Sequence, residues 1–268
     1  MLAKRVASAI VGLPIIFYFI WLGGPWYAFM VCLVAILGIH EYIKMLDLKS
    51  WVPQIYSYIS VIALIISIYF GQMYITMAVI CVIFIITALN LLFSFKQVEI
   101  AELSAVFWGI IYVGGLLGYL VSIRNLFTFK FTVIIFAAIW LNDTAAYFVG
   151  RKWGKNKLSP VVSPNKTVEG ALGGLLAPLA LVLILHPLIG NYYPLSLGWT
   201  VIFTVFIVIM AQVGDLVESA IKRKLSTKDS GGIIPGHGGI LDRFDGIIFA
   251  APFAHYFLLV AQLYIMFY

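Results

Sequence analysis

Long apolar runs separated by short polar breaks dominate the sequence. A helix that crosses the hydrocarbon core of a bilayer needs about 20 mostly apolar residues, and most of the runs approach or reach this length. We therefore predict nine membrane-spanning helices, with ends fixed to within about four residues. They cover residues 5–22, 26–46, 53–70, 73–94, 101–122, 128–149, 169–189, 197–221 and 242–267.

The composition supports this pattern. Of the 268 residues, 63% are hydrophobic and 10% are charged, whereas about 25% of the residues in soluble globular domains are charged. Cys32 and Cys81 lie inside apolar runs, without the spacing of a disulfide framework or a zinc site. The sequence thus predicts an all-α, polytopic integral membrane protein with a single membrane-embedded domain over residues 1–268.

The basic residues predict the orientation. With nine spans, all of the 17 basic residues except Arg124 and Lys130 lie on one side of the membrane. Basic loops remain in the cytoplasm. We expect a multi-pass protein of the cell membrane with a cytoplasmic N-terminus and an external C-terminus. The long basic loops 150–168 and 222–241 then face the cytoplasm together.

Acidic residues concentrate in the last four spans. Ionisable side chains at membrane depth normally face the bundle interior or a water-filled cavity and mark function. We therefore assign residues 1–125 to packing and dimerisation, and residues 126–268 to a catalytic cleft formed by the C-terminal helices. Glu41, by contrast, is expected to mark a membrane interface. The acids of the last four spans are Asp143, Glu169, Asp215, Glu218, Asp242 and Asp245.

Two of these spans carry aligned polar residues near the predicted cytoplasmic side. On the eighth span, residues three and four apart share one helix face, and the polar ones on it are Gln212, Asp215, Glu218, Ser219 and Lys222. A single buried ion pair would account for one Asp and one Lys, whereas a helix lining a wet cleft accounts for five. The sixth span ends in a similar way, with Asn142, Asp143, Tyr147 and Arg151.

The segment SPVVSPNKTVEG, residues 159–170, precedes the seventh span. Its Ser-Pro steps favour extended or turning backbone. Lys166 and Glu169 lie at the start of the following helix, where backbone N–H groups can meet an anion. Gly170, Gly173 and Gly174 would allow this helix start to pack tightly.

The segment GGIIPGHGGILDRFDG, residues 231–246, places Asp242 and Asp245 on one face at the start of the ninth span. With Asp215 they offer carboxylate oxygens that suit Mg²⁺, which commonly binds one or two carboxylates plus substrate phosphates. Acids for a metal and bases for phosphates predict phosphoryl or nucleotidyl transfer, and a second metal ion is compatible with this. The surrounding bases are Lys222, Arg223, Lys228, His237 and Arg243. The alternative for His237 is a loop histidine satisfied by backbone contacts.

Two motifs resemble those of a known family. The segment SAIKRKLSTKD, residues 219–229, followed by PGHGGILDRFD, residues 235–245, resembles the signature of phosphatidate cytidylyltransferases, or CDP-diacylglycerol synthases. NDTAAYFVGR, residues 142–151, and SPNKTVEG, residues 163–170, are also similar to that family. The resemblance covers roughly residues 140–250, whereas the N-terminal half supplies membrane character.

The resemblance implies transfer of CMP from CTP to phosphatidic acid, which gives CDP-diacylglycerol and pyrophosphate in phospholipid biosynthesis. It also implies Mg²⁺ dependence and a homodimer, with no nucleic-acid partner. Its site residues would be Asp215, Asp242 and Asp245 as metal ligands, with Asp143 and Asn142 as further ligands. Lys166 would stabilise the leaving pyrophosphate, Ser219 and His237 would position substrate, and Lys222, Arg223, Lys228 and Arg243 would hold phosphates.

Two other functions fit part of the pattern. A CTP-dependent polyprenol or phytol kinase would need a similar cleft but would transfer the γ-phosphoryl group. An ion-coupled transporter would also place acids in its spans, although the N-terminal half carries no matching set of charges. A CDP-alcohol phosphotransferase fits less well, because the residues after Asp245 and Gly246 do not complete its motif.

Overall fold

The computed structural model describes residues 2–189, 195–233 and 238–267, so the predicted site residue His237 lies outside the described residues. Within these ranges the chain forms nine helices, counting a helix with an internal π-helical turn as one. They are α1 (Leu2–Leu22), α2 (Gly24–Leu46), α3 (Trp51–Tyr69), α4 (Met73–Phe93), α5 (Ile100–Leu126), α6 (Phe129–Trp153), α7 (Val168–Ile189), α8 (Leu197–Lys224) and α9 (Leu241–Phe267).

The helices agree with the predicted spans in place and nearly in number. Across the described part of the chain, α2 to α9 are each long and apolar enough to cross a membrane. In α1, the segment Ile10–Leu22 is apolar, and Lys4 and Arg5 precede it. The prediction of an all-α, multi-pass membrane protein is confirmed, and the eight long apolar helices of the described residues are close to the nine predicted spans.

A short β-hairpin interrupts the helical pattern before α7. Its strands are β1 (Lys157–Ser159) and β2 (Ser163–Thr167), which pair antiparallel with Lys157 opposite Thr167. The sequence predicts extended or turning backbone here but no strand pairing. A two-stranded ribbon is marginally stable on its own, so contacts with neighbouring segments must hold it.

Glu169, in the first turn of α7, supplies such a contact. Its carboxylate accepts hydrogen bonds from the backbone N–H groups of Lys155 (3.0 Å) and Asn156 (3.1 Å), and from the Asn156 side-chain amide (2.8 Å). The Asn156 carbonyl in turn accepts the N–H of Val168. Glu169 therefore ties the segment before β1 to the start of α7.

The chain forms two compact units. The first comprises Met1–Phe129 with Lys224–Phe244, and the second comprises Lys130–Arg223 with Asp245–Tyr268. The segment between α8 and α9 thus groups with the N-terminal helices, and the boundary between the units falls within the first turn of α9. The predicted division at residue 125 separates the helices at a similar place but assigns this segment to the C-terminal half.

The core of the first unit lies among α2, α3 and α5, which contribute fully buried apolar side chains such as Ile39, Leu64 and Leu117. Glycine on α5 allows this packing. A Cβ added at Gly114 would lie 3.0–3.3 Å from atoms of Val61 on α3. Gly114 lies in the π-helical turn Ile110–Gly115. The extra residue in this turn changes which face of α5 packs against its neighbours.

Glycines also set the packing of α6 against α7 in the second unit. A Cβ at Gly173 would lie 2.5–2.7 Å from the Val149 side chain, and one at Gly170 would lie 2.9 Å from the Ala146 carbonyl. Small residues allow helices to approach closely in a membrane. The predicted tight packing at the start of the seventh span is confirmed.

Candidate functional site

A close crossing of α8 and α9 in the second unit brings two predicted acids together. A Cβ added at Gly214 would lie 2.6 Å from the Asp245 carbonyl and 2.7 Å from Phe249 Cβ, and one at Gly246 would lie 3.2 Å from Ala211 Cβ. Asp215 follows Gly214 and Asp245 precedes Gly246. The absence of side chains at the crossing therefore determines how near these two aspartates lie.

Asp245 belongs to a group of carboxylates from three helices. Its carboxylate interacts electrostatically with those of Asp215 and Glu218 on α8 and of Asp143 on α6. Neighbouring carboxylates repel one another, and burying a charged carboxylate costs free energy unless cations or water compensate its charge. The second unit therefore groups four acidic side chains, and a cation placed among them would reduce their repulsion.

Two lysines supply part of the positive charge. Lys166, at the end of β2, forms an ion pair with Asp215, and both side chains remain about one-third exposed, at 28% and 35%. Lys222 Nζ lies 2.6 Å from Glu218 Oε2 one turn along α8. The structure thus brings together Lys166 and Asp215, which are 49 residues apart in the sequence and were predicted separately as site residues.

The start of α7 positions Lys166. Thr167 precedes the helix, and its buried hydroxyl accepts a hydrogen bond from the N–H of Gly170 (3.1 Å). This is the geometry of an N-cap residue, which satisfies one of the free N–H groups at a helix start. A Cβ at Gly150 would lie 3.0 Å from the Thr167 hydroxyl, so α6 packs directly on the cap. Lys166 is therefore anchored at a fixed point beside the acids.

Hydrogen bonds of two side-chain amides join α6, α7 and α8 next to Asp143. Asn142 is 2% exposed, and its Oδ1 accepts a hydrogen bond from Gln212 Nε2 (2.7 Å). Gln212 Nε2 also donates to the Ala171 carbonyl (2.9 Å), and Asn142 Nδ2 donates to Asp143 Oδ1 (2.9 Å). These bonds hold the Asp143 carboxylate in place. The role of Asn142 as a metal ligand stays a prediction.

The signature loop, which we define as residues 225–240 between α8 and α9, belongs to the first unit. Here Asp242 accepts hydrogen bonds from the backbone N–H groups of Gly239 (2.9 Å) and Ser230 (3.3 Å). Asp242 therefore fastens the loop backbone, and its predicted role as a metal ligand would add to this one. Lys228 and Arg243 of the same unit are exposed.

The remaining predicted phosphate-binding residues lie on α8 in the second unit. Ser219 is half-buried one turn beyond Asp215, and Arg223 is exposed, with its Nε donating to the Val162 carbonyl at 3.4 Å. The second unit thus carries Asn142, Asp143, Lys166, Asp215, Ser219, Lys222, Arg223 and Asp245, and the first carries Lys228, Asp242 and Arg243.

The sequence analysis did not identify Glu41, on α2, as a residue that contacts the signature loop. It is 1% exposed, and its Oε2 accepts hydrogen bonds from Ser230 Oγ (3.1 Å) and the Leu241 N–H (3.0 Å). The expectation that Glu41 marks a membrane interface stays a prediction, and it did not include these contacts with the loop. The available signal was its position five residues inside a predicted span, because an acid within a span is itself a functional indication.

The acids fit Mg²⁺ only as an incomplete ligand set. Among the residues that the structure describes, no group of three or more His, Cys, Asp or Glu side chains has an arrangement that could hold a metal ion. Mg²⁺ is usually bound through one or two carboxylates, with waters and substrate phosphates completing its octahedron. Asp215 and Asp245 match that smaller requirement, so a metal here would depend on substrate phosphates for further ligands.

Comparison with known proteins places the chain among nucleotide-transferring enzymes. The sequence model of the cytidylyltransferase family matches residues 3–261, nearly the whole chain. The chain belongs to the cytidylyltransferase family. The family match includes the N-terminal helices as well as the carboxylate group and the signature loop, so membership does not rest on the C-terminal motifs alone.

Several curated relatives are similar over long stretches. A phosphatidate cytidylyltransferase of Bacillus subtilis is 45% identical over 168 residues, which cover 62% of this chain and 60% of that relative. One of Staphylococcus haemolyticus is 34% identical over 263 residues, covering 95% and 98% of the two chains. A third, of Synechocystis, is 32% identical over an alignment that covers 97% of each chain.

Proposed function

We propose that the protein transfers CMP from CTP to phosphatidic acid, giving CDP-diacylglycerol and pyrophosphate. The observation that carries this proposal is the ion pair of Lys166 and Asp215 beside Asp245, Glu218 and Asp143. This arrangement lies on the segments that resemble phosphatidate cytidylyltransferases, and relatives with that name match nearly the full chain.

The reaction needs charge neutralisation and positioning more than a protein nucleophile. A phosphate oxygen of phosphatidic acid forms a bond to the α-phosphorus of CTP, and the bond from that phosphorus to the bridging oxygen of the β-phosphate breaks. Pyrophosphate leaves with the electron pair. Because both reactants are anionic, catalysis depends on fixed cations that hold them in line.

The second unit supplies both kinds of charge. Asp215 and Asp245 would hold Mg²⁺, and Asp143 and Asn142 would orient or extend that set. When bound, Mg²⁺ neutralises charge on the triphosphate and its leaving group. A second metal ion is compatible with four neighbouring carboxylates. The pairing of Lys166 with Asp215 keeps the ammonium group within reach of the same place, so we assign Lys166 to the departing pyrophosphate.

The other cations are assigned to substrate phosphates. Lys222 and Arg223 lie in the last turn of α8, and Ser219 lies on the same helix one turn from Asp215. Lys228 and Arg243 lie in and beside the signature loop, and His237 in that loop is assigned to substrate positioning. Arg223, Lys228 and Arg243 are exposed, so an incoming triphosphate can reach them without a conformational change of the core, whereas Lys222 would first have to leave Glu218.

We further propose that the reaction occurs at the cytoplasmic face of the cell membrane, in a homodimer. The strong bias of basic residues towards one side supports a cytoplasmic site and N-terminus with an external C-terminus. A water-soluble triphosphate and a membrane-bound lipid phosphate can meet only at such a surface. Membrane lipid is thus both surroundings and substrate, and nucleic acid is not a partner.

The test uses purified protein in detergent or liposomes with phosphatidic acid and CTP labelled at the α-phosphate. We expect the label to enter a chloroform-soluble product, with one pyrophosphate released per lipid formed, and we expect both products to require Mg²⁺. A lipid kinase would instead release labelled CDP when supplied with a polyprenol. A transporter would give neither product, and solute flux across liposomes would not require CTP.

A further inference from the structure

Glu41 occupies an unusual position in the first unit. It lies on α2, remote in sequence from every residue of the carboxylate group, and it is almost fully buried at 1% exposure. Burial of a carboxylate is costly unless hydrogen bonds or cations compensate it. A leucine at this position would fill space at lower cost, so the carboxylate must be explained by the groups that it contacts.

Those groups lie within the signature loop and at the start of α9. Ser230, which is 3% exposed, lies within the loop, and its hydroxyl donates to Glu41 Oε2 at 3.1 Å. Leu241 is the first residue of α9, and its N–H donates to the same oxygen at 3.0 Å. One oxygen atom of Glu41 therefore joins Ser230 to the start of α9, and the stretch between these two residues has its base at Glu41.

The contact with Leu241 also uses the charge. The first N–H groups of a helix have no partner within the helix, and the helix dipole favours an anion at this end. Glu41 satisfies the N–H of the first residue of α9. Asp242, one residue further, fastens the loop through the N–H groups of Ser230 and Gly239. Two carboxylates from different helices thus close the base of one loop.

Glycines of the loop are fitted around the Glu41 side chain. All three of the atoms nearest to a Cβ added at Gly231 belong to Glu41, including Cδ at 2.7 Å and Cγ at 2.9 Å. At Gly239 an added Cβ would lie 2.8 Å from Glu41 Cδ. At Gly232, the neighbour of Gly231, nothing lies within 4 Å. The loop therefore approaches Glu41 closely at two defined points.

We propose that Glu41 is a positioning residue for the reaction, which sets the base of the signature loop through the two hydrogen bonds on Oε2. The proposal rests on the proposed function, which assigns Lys228 and Arg243, in and beside this loop, to substrate phosphates and His237 to substrate positioning. Glu41 itself is not assigned to substrate. Its contribution reaches the reaction through the placement of the loop and of the first turn of α9.

The first test compares two substitutions of Glu41. Glu41→Ala removes both hydrogen bonds, and we expect kcat/KM for CTP to fall about 10- to 100-fold, with faster hydrogen–deuterium exchange in residues 224–244. Glu41→Gln keeps one acceptor oxygen where both bonds end, so it should restore kcat/KM to within about threefold of the original protein. If Glu41→Ala changes neither quantity, or if Glu41→Gln is as defective as Glu41→Ala, the proposal is wrong.

The second test uses the glycines and does not require Glu41→Ala to be active. Gly231→Ala should lower kcat/KM for CTP and speed loop exchange, because its methyl group meets Glu41. Gly232→Ala adds the same methyl group into open space and should change both little. In a Glu41→Ala background, the effect of Gly231→Ala on loop exchange should largely disappear, since coupling of this kind marks direct contact. Equal effects of the two glycine substitutions would overturn the proposal.

The readouts also separate this proposal from the proposed function. If the original protein transfers no CMP to phosphatidic acid, the proposed function fails. The exchange of residues 224–244 still reports whether Glu41 holds the loop.

Discussion

At the scale of single residues, the site depends on pairs of oppositely charged side chains that lie side by side. Lys166 and Asp215 form an ion pair, and Lys222 pairs with Glu218. A carboxylate that is paired with a lysine binds a metal ion weakly, because the lysine already neutralises the carboxylate charge. A substrate that takes up the lysine would remove this competition. Substrate phosphates would draw Lys166 towards themselves and leave Asp215 for a metal. The ion pair is therefore consistent with a site that assembles on its substrate.

The first prediction concerns Asp215. Asp215→Asn removes a metal-binding charge while keeping the size of the side chain, so we expect CMP transfer to fall at least about 100-fold. Residual activity should need a higher Mg²⁺ concentration. Lys166→Met removes the partner charge but no carboxylate, so it should lower turnover without raising the Mg²⁺ requirement. Steady-state kinetics over a series of Mg²⁺ concentrations measure both effects.

Asp47→Asn provides the matched control for this prediction. Asp47 is exposed after α2 in a left-handed conformation, with φ of 51°, which asparagine also adopts readily. The same change of charge should leave CMP transfer and its Mg²⁺ dependence near those of the original protein. If Asp215→Asn behaved like Asp47→Asn, Asp215 would not be part of the metal site.

At the scale of elements, the crossing of α8 and α9 determines the position of the carboxylates. A side chain at Gly214 or at Gly246 would crowd atoms of the facing helix. Helices in lipid gain little from the hydrophobic effect on association, so close packing of small residues supplies much of the contact. The two aspartates next to these glycines are held by the crossing itself, without a ligand.

The second prediction tests that crossing. Gly214→Ala would place a methyl group 2.6 Å from the Asp245 carbonyl, and such overpacking typically costs about 1–3 kcal/mol. We expect a lower melting temperature in detergent and at least tenfold slower CMP transfer, the latter on the order of the cost of moving one catalytic group. Gly198→Ala, on the same helix with nothing within 4 Å, should change neither. Equal effects of the two substitutions would contradict this account.

The sequence was informative about elements to different degrees. Apolar runs located the helices because a span must be long and apolar throughout. The hairpin of β1 and β2 escaped prediction because its strands have three and five residues, too few for an alternating pattern to emerge from polar and proline residues. The pairing of Lys166 with Asp215 also could not be predicted, since it depends on how α7 packs beside α8.

The signature loop and Glu41 show what helical spacing could not predict about the contacts of a loop. Helical spacing put Asp242 and Asp245 on one face, but spacing alone does not reveal that Asp242 already binds the backbone of Ser230 and Gly239. The loop contacts of Glu41 were not predicted, because its nearest acids in the sequence stand at helix ends. Of these, Glu99 and Glu102 do form a capping box at the start of α5. Glu41 differs because a distant loop folds over it.

At the scale of the whole molecule, eight clear spans and a strong charge bias define a multi-pass membrane protein whose orientation is a proposal. The loop between α5 and α6 should face outward, because Arg124 and Lys130 are the basic residues that the bias leaves on that side.

The third prediction tests this orientation. In a variant whose Cys32 and Cys81 are replaced by alanine, Thr128→Cys should react with a membrane-impermeant thiol reagent in intact cells. Lys155→Cys, in the basic loop before the hairpin, should react only after the cells are opened. Mass-tagging of the purified protein measures both. The reverse pattern would place the proposed site on the wrong side for CTP.

The most direct test of the central claim is the fate of the two ends of CTP. Protein is incubated with phosphatidic acid, Mg²⁺ and CTP that carries different labels on its α- and γ-phosphates. The account predicts the α-label in a chloroform-soluble CDP-lipid and the γ-label in pyrophosphate, in equal amounts, with both products reduced at least about 100-fold in the Asp215→Asn protein. Appearance of the γ-label in lipid, or of no labelled lipid at all, would contradict it.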